Sequence, residues 1–171
     1  RKFILVGGGN IGYLVAQRLL AEVPSVKIKL IELDEDRAEY VAARLQQITV
    51  LHGSALDKTI LQESNVEDAE TIVAVSNDDE VNILSSLLAK RQGCDRAYAL
   101  INEGQSYAPL VSTLGIDGVI NPREVTVSSI LRHTHTATLV ERTYSICNST
   151  AEIIELRLNE DSDALHQTVK D

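Results

Sequence analysis

The sequence predicts an α/β protein built on a doubly wound parallel sheet, and three observations carry that expectation. Five short runs rich in Val and Ile recur at fairly even spacing, each bounded by Gly, Asn, Asp or Ser, the pattern of buried strands. The segments between them carry apolar residues at helical spacing. Those connections are too long for hairpins and suit right-handed crossovers between parallel strands.

The elements follow in order. KFILV (2–6) is the first strand, and GGGNIG then opens a helix with Ile11, Leu14, Val15 and Leu19 on one face. VKIKLI (26–31), ITVL (48–51), TIVAV (71–75) and AYALI (97–101) supply the next four strands. The helix after the fourth has an acidic first turn, Asp78, Asp79 and Glu80, which suits the positive end of the helix dipole. Val81, Leu84, Leu87, Leu88 and Arg91 continue one face of it. A helix near 105–114 leads to a sixth strand, GVI (118–120). PREVTVSSILRHT then starts a helix at Pro122, a favoured first-turn residue, with Val127, Ile130 and Leu131 at helical spacing. Beyond about 137 the period changes to two: Tyr144 to Ile146, then AEIIELRL, with Ile154, Leu156 and Leu158 opposite Glu155 and Arg157. The expected division is a nucleotide-binding domain over 1–121, a crossover helix and hinge over 122–137, and the truncated start of a second domain over 138–171.

Composition narrows the function classes. An apolar fraction of 44% and a charged fraction of 24% are ordinary for a soluble globular chain. No apolar run approaches the roughly 20 residues that span a bilayer, and no secretory leader is visible. With no initiator Met, the chain reads as a piece of something longer. A net charge of -9 argues against a nucleic-acid partner, because a phosphate backbone is held by Lys and Arg. Cys94 and Cys147 stand in no disulfide or zinc spacing, which fits a reducing cytoplasm. His133 and His135 point to different helix faces and read as solvated or capping residues rather than metal ligands.

Gly7, Gly9 and Gly12, with Asn10 and Ile11 between the last two, fit GxGxxG between a strand and a helix, the Rossmann-like dinucleotide arrangement. The first glycine permits the turn, the second lets a pyrophosphate reach the backbone, and the third lets helix pack on strand. The helix N-terminus then offers its free N–H groups to phosphate. Twenty residues past Gly12, Glu32 in LIELDED is placed to accept from both ribose hydroxyls, favouring NAD over NADP. Leu33 beside it is counted in the site. Arg37 is expected to be a solvated first-turn residue of the next helix. His52, Gly53, Ser54 and Ala55 end the third strand and are candidates to flank an adenine. Ser76, Asn77 and Asp78 end the fourth, either as neighbours of a ribose or nicotinamide or as plain helix caps. No Tyr-x-x-x-Lys pair occurs, since Arg44 follows Tyr40 at that offset, and no nucleophile motif is found. The nucleotide is expected to be sensed rather than turned over, with no catalytic residue.

LVGGGNIG, LIELDEDRA, VLHGSALDKTIL, IVAVSNDDEVNILSSLLAKRQG and VINPREVTVSSILRH together resemble the RCK domain, also called the KTN domain, of potassium channels and transporters. The resemblance runs from about residue 2 to 158, and DDEVN and NPREVTVSSILRH are its most specific parts. It implies a cytoplasmic regulatory domain that binds NAD or NADH, alternatively ATP or ADP. It further implies paired domains in a ring of identical subunits beneath a membrane-embedded potassium transporter that they gate. The tail from 138 would begin the family's small C-terminal α+β subdomain. The nucleotide loop maps to Gly7 through Gly12, the ribose acid to Glu32 and the adenine-side loop to Gly53 through Ala55. Two departures are visible: Gly53-Ser54 where many members have Gly-Asp, and Leu100 where many have Arg. Loss of a charged hydrogen bond costs about 1.5 to 3 kcal/mol, which weakens dinucleotide binding. The second of two tandem copies often lacks that Arg, and the chain is placed there. Two alternatives stay open: an NAD-dependent oxidoreductase without its substrate domain, and a structural copy that no longer binds nucleotide.

Overall fold

The computed structural model describes residues 1–102, 107, 114–134, 140–146 and 151–156, with side chains described up to 130. Two compact units emerge, Arg1–Asn121 and Pro122–Asp171.

The first unit runs β1 (Lys2–Val6), α1 (Asn10–Glu22), β2 (Lys27–Glu32), α2 (Glu35–Arg44), β3 (Thr49–His52), α3 (Lys58–Glu63), a 3-10 turn at Val66–Asp68, β4 (Thr71–Ala74), α4 (Asp79–Arg91), β5 (Arg96–Leu100) and β6 (Gly118–Ile120). The six strands form one sheet in the order β3-β2-β1-β4-β5-β6, parallel at every pairing. The Rossmann-like doubly wound sheet expected from the sequence is thus borne out. Each strand lies within about one residue of its apolar run, the ordinary uncertainty of element ends. The helix expected near 105–114 lies outside the described residues apart from Tyr107 and Leu114.

β1 sits at the centre, with Leu5 opposite Leu30 on one side and Val73 on the other. Because side chains alternate across a strand, Ile4 and Val6 join Ile31, Leu61, Ile72 and Ala97 on one face of the sheet. Leu5 joins Ala16, Ile28, Leu30 and Val41 on the other. Leu5 is wholly buried, and full burial of such a side chain contributes about 1.5 to 3 kcal/mol.

Two helix faces differ from expectation. In α1 the buried residues are Gly12 and Ala16, whereas Ile11 and Leu14 are 44% and 58% exposed. In α4 the buried set is Asp79, Asn82, Ile83, Ser85, Ser86 and Ala89, and Leu84 is 48% exposed. Where a helix lies close on a sheet, small side chains occupy the contact and bulky ones move to its flanks. Asp79, Asn82 and Ser85 of α4 are tolerated there because they are bonded: Ser85 Oγ, for one, donates to the Asn82 carbonyl at 3.3 Å. Ser86 Oγ has no partner among the described residues.

The second unit contains α5 (Pro122–Thr134), β7 (Val140–Ile146) and β8 (Ala151–Leu156). Pro122 occupies the first helical position as expected, and Thr126 Oγ1 donates to its carbonyl at 2.7 Å. β7 and β8 pair antiparallel with a register irregularity between Val140 and Arg142. The first of these strands starts four residues before Tyr144, where the sequence period was first legible. The expected positions of His135, Cys147 and Leu158 lie outside the described residues.

Candidate functional site

β1 and β4 are neighbours, yet the chain leaves β1 towards β2 and leaves β4 towards β5. The helices therefore diverge above the carboxyl ends of these two strands, and open α/β sheets form their ligand crevice there. The crevice here measures about 740 Å³, within the usual range for small-molecule sites. Val6, Gly7, Gly9, Asn10, Ile11, Ile31, Glu32 and Leu33 line it, as do Asp34, Arg37, Gly53, Ser54, Ala55, Val75, Ser76, Asn77, Asp78 and Val81. Of the candidate residues read from the sequence, Gly8, Gly12 and His52 are missing from that wall.

The three motif glycines have different reasons to be glycine. Gly7 has φ +96°, a conformation L side chains avoid, and a Cβ there would lie 2.9 Å from the Ser76 backbone. At Gly12 a Cβ would come within 1.9 Å of the Gly7 carbonyl oxygen, so the start of α1 rests directly on the loop. A Cβ on Gly9 would meet no protein atom within 4 Å. Nothing in the protein's own packing demands glycine at that position, which faces the crevice. The start of α1 also has neither a side-chain cap nor an acidic residue in its first turn. By contrast, Asp34, Asp57 and Asp78 cap α2, α3 and α4. Its N–H groups therefore point at the crevice without a side-chain partner, an arrangement suited to an anion.

Glu32 closes β2. Its Oε2 accepts from Gly8 N at 2.5 Å and its Oε1 from Asp34 N at 2.9 Å. A carboxylate has about four acceptor positions, so two amides fix the group and leave capacity for hydroxyl donors. Arg37 departs from the solvated position expected of it. Its Nε donates to the Gly8 carbonyl at 2.5 Å, and its guanidinium carbon lies 4.5 Å from the Tyr40 ring centroid. At the end of β3, Gly53 N donates to the Glu32 carbonyl at 2.8 Å, and His52 Nε2 lies 3.1 Å from the Leu33 carbonyl oxygen. Ser54 Oγ accepts from Leu56 N at 3.2 Å, and Ala55 is buried.

At the end of β4, Ser76 is held by Asn82, which is wholly buried. Asn82 Oδ1 accepts from Ser76 N and from Ser76 Oγ, both at 2.8 Å. Its Nδ2 donates to the carbonyls of Ser76 at 3.0 Å and Leu100 at 2.9 Å. One residue beyond the crevice wall, the Asp79 carboxylate accepts from Asn102 N at 3.0 Å. The first turn of α4 is thereby fastened to the ends of β4 and β5. Sequence reasoning missed Asn82 and Arg37 as parts of the site. The only available signal was a cation five residues after the ribose acid, since Asn82 lies off the apolar face that periodicity picks out.

The ionisable groups on the wall are Glu32, Asp34, Arg37 and Asp78, and each is tied to backbone. Glu32 accepts two amides. Asp34 accepts from Arg37 N and Asp78 from Val81 N. Arg37 donates to a carbonyl. The charged side chains of the wall are thus held in place by the protein's own backbone.

Residues 3–122 match the family model of the TrkA-N domain. The chain belongs to the TrkA-N domain family. The RCK resemblance carried by the motifs is borne out by that match. The Trk system potassium uptake protein TrkA of Azorhizobium caulinodans is 41% identical over 171 residues, covering 100% of this chain and 37% of the relative. This TrkA-N chain therefore spans little more than a third of that relative's length. Among solved structures, the TrkA-N domain of the inner membrane protein ybaL from Escherichia coli superposes with a TM-score of 0.68. It is 19% identical, and the match covers 78% of this chain and 96% of that one. The GsuK channel bound to NAD gives a TM-score of 0.65 at 18% identity, over 86% of this chain and 25% of the channel chain. At such identities these two structures are evidence of shared fold. Among the described residues, no helix is long and apolar enough to cross a membrane.

Proposed function

We propose that this TrkA-N chain is a non-catalytic, nucleotide-sensing module of a Trk-type potassium uptake system. It binds NAD or NADH, with ATP or ADP as the alternative, in the crevice above β1 and β4. The observation that carries the reading is Gly9, where the open space a Cβ would enter lies beside the uncapped start of α1. That space and those amides fit a pyrophosphate, and Glu32 fits the adenosine ribose. The potassium role is supported by the names of the TrkA relatives. The partner is a membrane-embedded transporter subunit on whose cytoplasmic face the module sits. Copies of it pair and assemble into a ring, with residues 122–137 as the hinge to the following subdomain.

The residues act by holding. The amides of the glycine loop and of α1 receive phosphate oxygens, Glu32 orients the ribose, and Ser76 and Asn77 line the far side. A bound nucleotide regulates the transporter only if it binds one arrangement of the paired domains better than another. Calorimetry of the full-length protein with NADH, NAD, ATP and ADP tests the reading. Binding of at least one is expected, and no heat with any of the four removes it.

A second reading, a structural copy without nucleotide, is favoured by two observations. Both Glu32 oxygens already accept backbone amides, and Leu100 stands where many members of the family carry Arg. Glu32→Ala separates the two, since potassium uptake regulation that is unaltered by this change points to the structural role.

A further inference from the structure

The adenosine end of the crevice contains a cation that the loop-and-acid description leaves without a task. Arg37 is half-buried on the wall and makes no ion pair among the described residues. Its position is nevertheless fixed from three directions. Asp34 Oδ1 accepts from its backbone N at 2.8 Å, its Nε is bonded to the Gly8 carbonyl, and the Tyr40 ring lies 4.5 Å from its guanidinium carbon. Tyr40 is itself braced by Arg44, 3.7 Å from the ring centroid. A guanidinium held in this way has already lost much of its rotamer freedom, so a ligand that uses it loses less on binding. Beside it on the same wall is Leu33, 70% exposed. A large apolar side chain left in water at a ligand crevice offers a contact surface for a flat, weakly polar group.

We propose that Arg37 is the specificity-determining residue of the crevice: its guanidinium plane, backed by Tyr40, is the platform on which a purine base stacks. The proposal rests on the nucleotide reading above. Glu32 places the ribose next to this part of the wall, and a base attached to that ribose reaches Leu33 and Arg37. Guanidinium groups stack on aromatic faces as well as pairing with anions, and the larger purine face gains more from stacking than a pyrimidine. In this view Glu32 reads the sugar, the loop reads the phosphates, and Arg37 reads the base.

The test compares ADP with CDP, which differ only in the base, by calorimetry on full-length wild-type, Arg37→Lys and Tyr40→Leu proteins. Lysine keeps the charge and an N–H for the Gly8 carbonyl but has no plane. Wild type is expected to bind ADP about tenfold more tightly than CDP. Arg37→Lys is expected to remove most of that ratio, leaving CDP within about twofold of wild type. Tyr40→Leu, which leaves Arg37 in place without its backing ring, is expected to reduce the ratio by about threefold, and it carries the test if the Arg37 variant does not fold. Equal wild-type affinities for ADP and CDP overturn the platform while leaving the nucleotide reading intact. So does an equal loss of both nucleotides in Arg37→Lys, which would make the residue a simple charge. If wild type binds neither nucleotide, nor NADH, NAD or ATP, the nucleotide reading fails and the platform with it.

Discussion

Asn82 Oδ1 accepts two hydrogen bonds from one residue, the backbone N–H and the hydroxyl of Ser76, each at 2.8 Å. With both Nδ2 bonds to carbonyls also made, this buried amide is fully satisfied, and it links the crevice wall to the end of β5. Truncation to alanine leaves the Ser76 N–H and the Leu100 carbonyl without it, at about 1 to 3 kcal/mol for each buried group. Asn82→Ala is therefore expected to lower unfolding stability by about 2 to 5 kcal/mol in a urea titration. Asn82→Asp, which turns both donors into acceptors facing carbonyls, should be comparably damaging. A loss below about 0.5 kcal/mol in both variants contradicts this account.

The glycine loop offers a paired comparison. Gly12→Ala drives a methyl into the Gly7 carbonyl and is expected to cost about 3 kcal/mol or more of stability. Gly9→Ala meets no protein atom and should cost less than about 1 kcal/mol, the scale of a changed helix cap. It should nevertheless weaken nucleotide binding by about tenfold or more. Thermal melts and calorimetry on the two variants check this, and a Gly9→Ala protein that binds as wild type does refutes the phosphate placement.

The exposed leucines follow a different rule from their buried neighbours. Leu14→Gln and Leu84→Gln are expected to change stability by no more than about 0.5 kcal/mol. Ala16→Leu, at a wholly buried position, should cost about 1 to 3 kcal/mol through overpacking against the sheet. Urea midpoints decide it, and a Leu14 variant as damaged as the Ala16 variant would restore the face expected from periodicity.

Asp117 gives the first unit an acid-sensitive fastening. Ala97 N donates to its Oδ2 at 2.7 Å, and Lys90 Nζ lies 3.0 Å from the same oxygen. The amide bond first, and the ammonium after it, hold this carboxyl below its ordinary value despite some opposing desolvation. The folded value lies below the unfolded one, so the stabilisation is present above the unfolded value near 3.8. It is lost as pH falls through the folded value. Asp117→Asn should cost under about 1 kcal/mol at pH 7, the group being a third exposed, and the difference from wild type should vanish in strong acid. A pH-independent difference in urea midpoint rules out the charge term.

Much of the fold was legible because parallel strands buried on both faces must be nearly continuous apolar runs, and KFILV and TIVAV are. The glycine loop and Glu32 were legible for a local reason, since their spacing is set by the strand-turn-helix they occupy. The facing of α1 and α4 was not. Periodicity assigns the core to the bulkiest residues, whereas close packing on the sheet selected Gly12, Ala16 and Ser85. Asn82 and Arg37 were illegible for a third reason. Their partners, Leu100 and Gly8, lie 18 and 29 positions away, and no local pattern encodes a bond that only tertiary structure creates.

The central place of β1 also bears on how a ribosome delivers this chain. Within this sheet the strand made first is one of the two innermost, and its partner on one side, Thr71–Ala74, comes out some 65 residues later. Until then the nascent polypeptide carries β1, β2 and β3 with one long apolar edge unprotected, a template for pairing with a neighbouring chain. Expression of residues 1–66 alone should therefore yield aggregate, and the order of synthesis makes the arrival of β4 the step that ends this exposure.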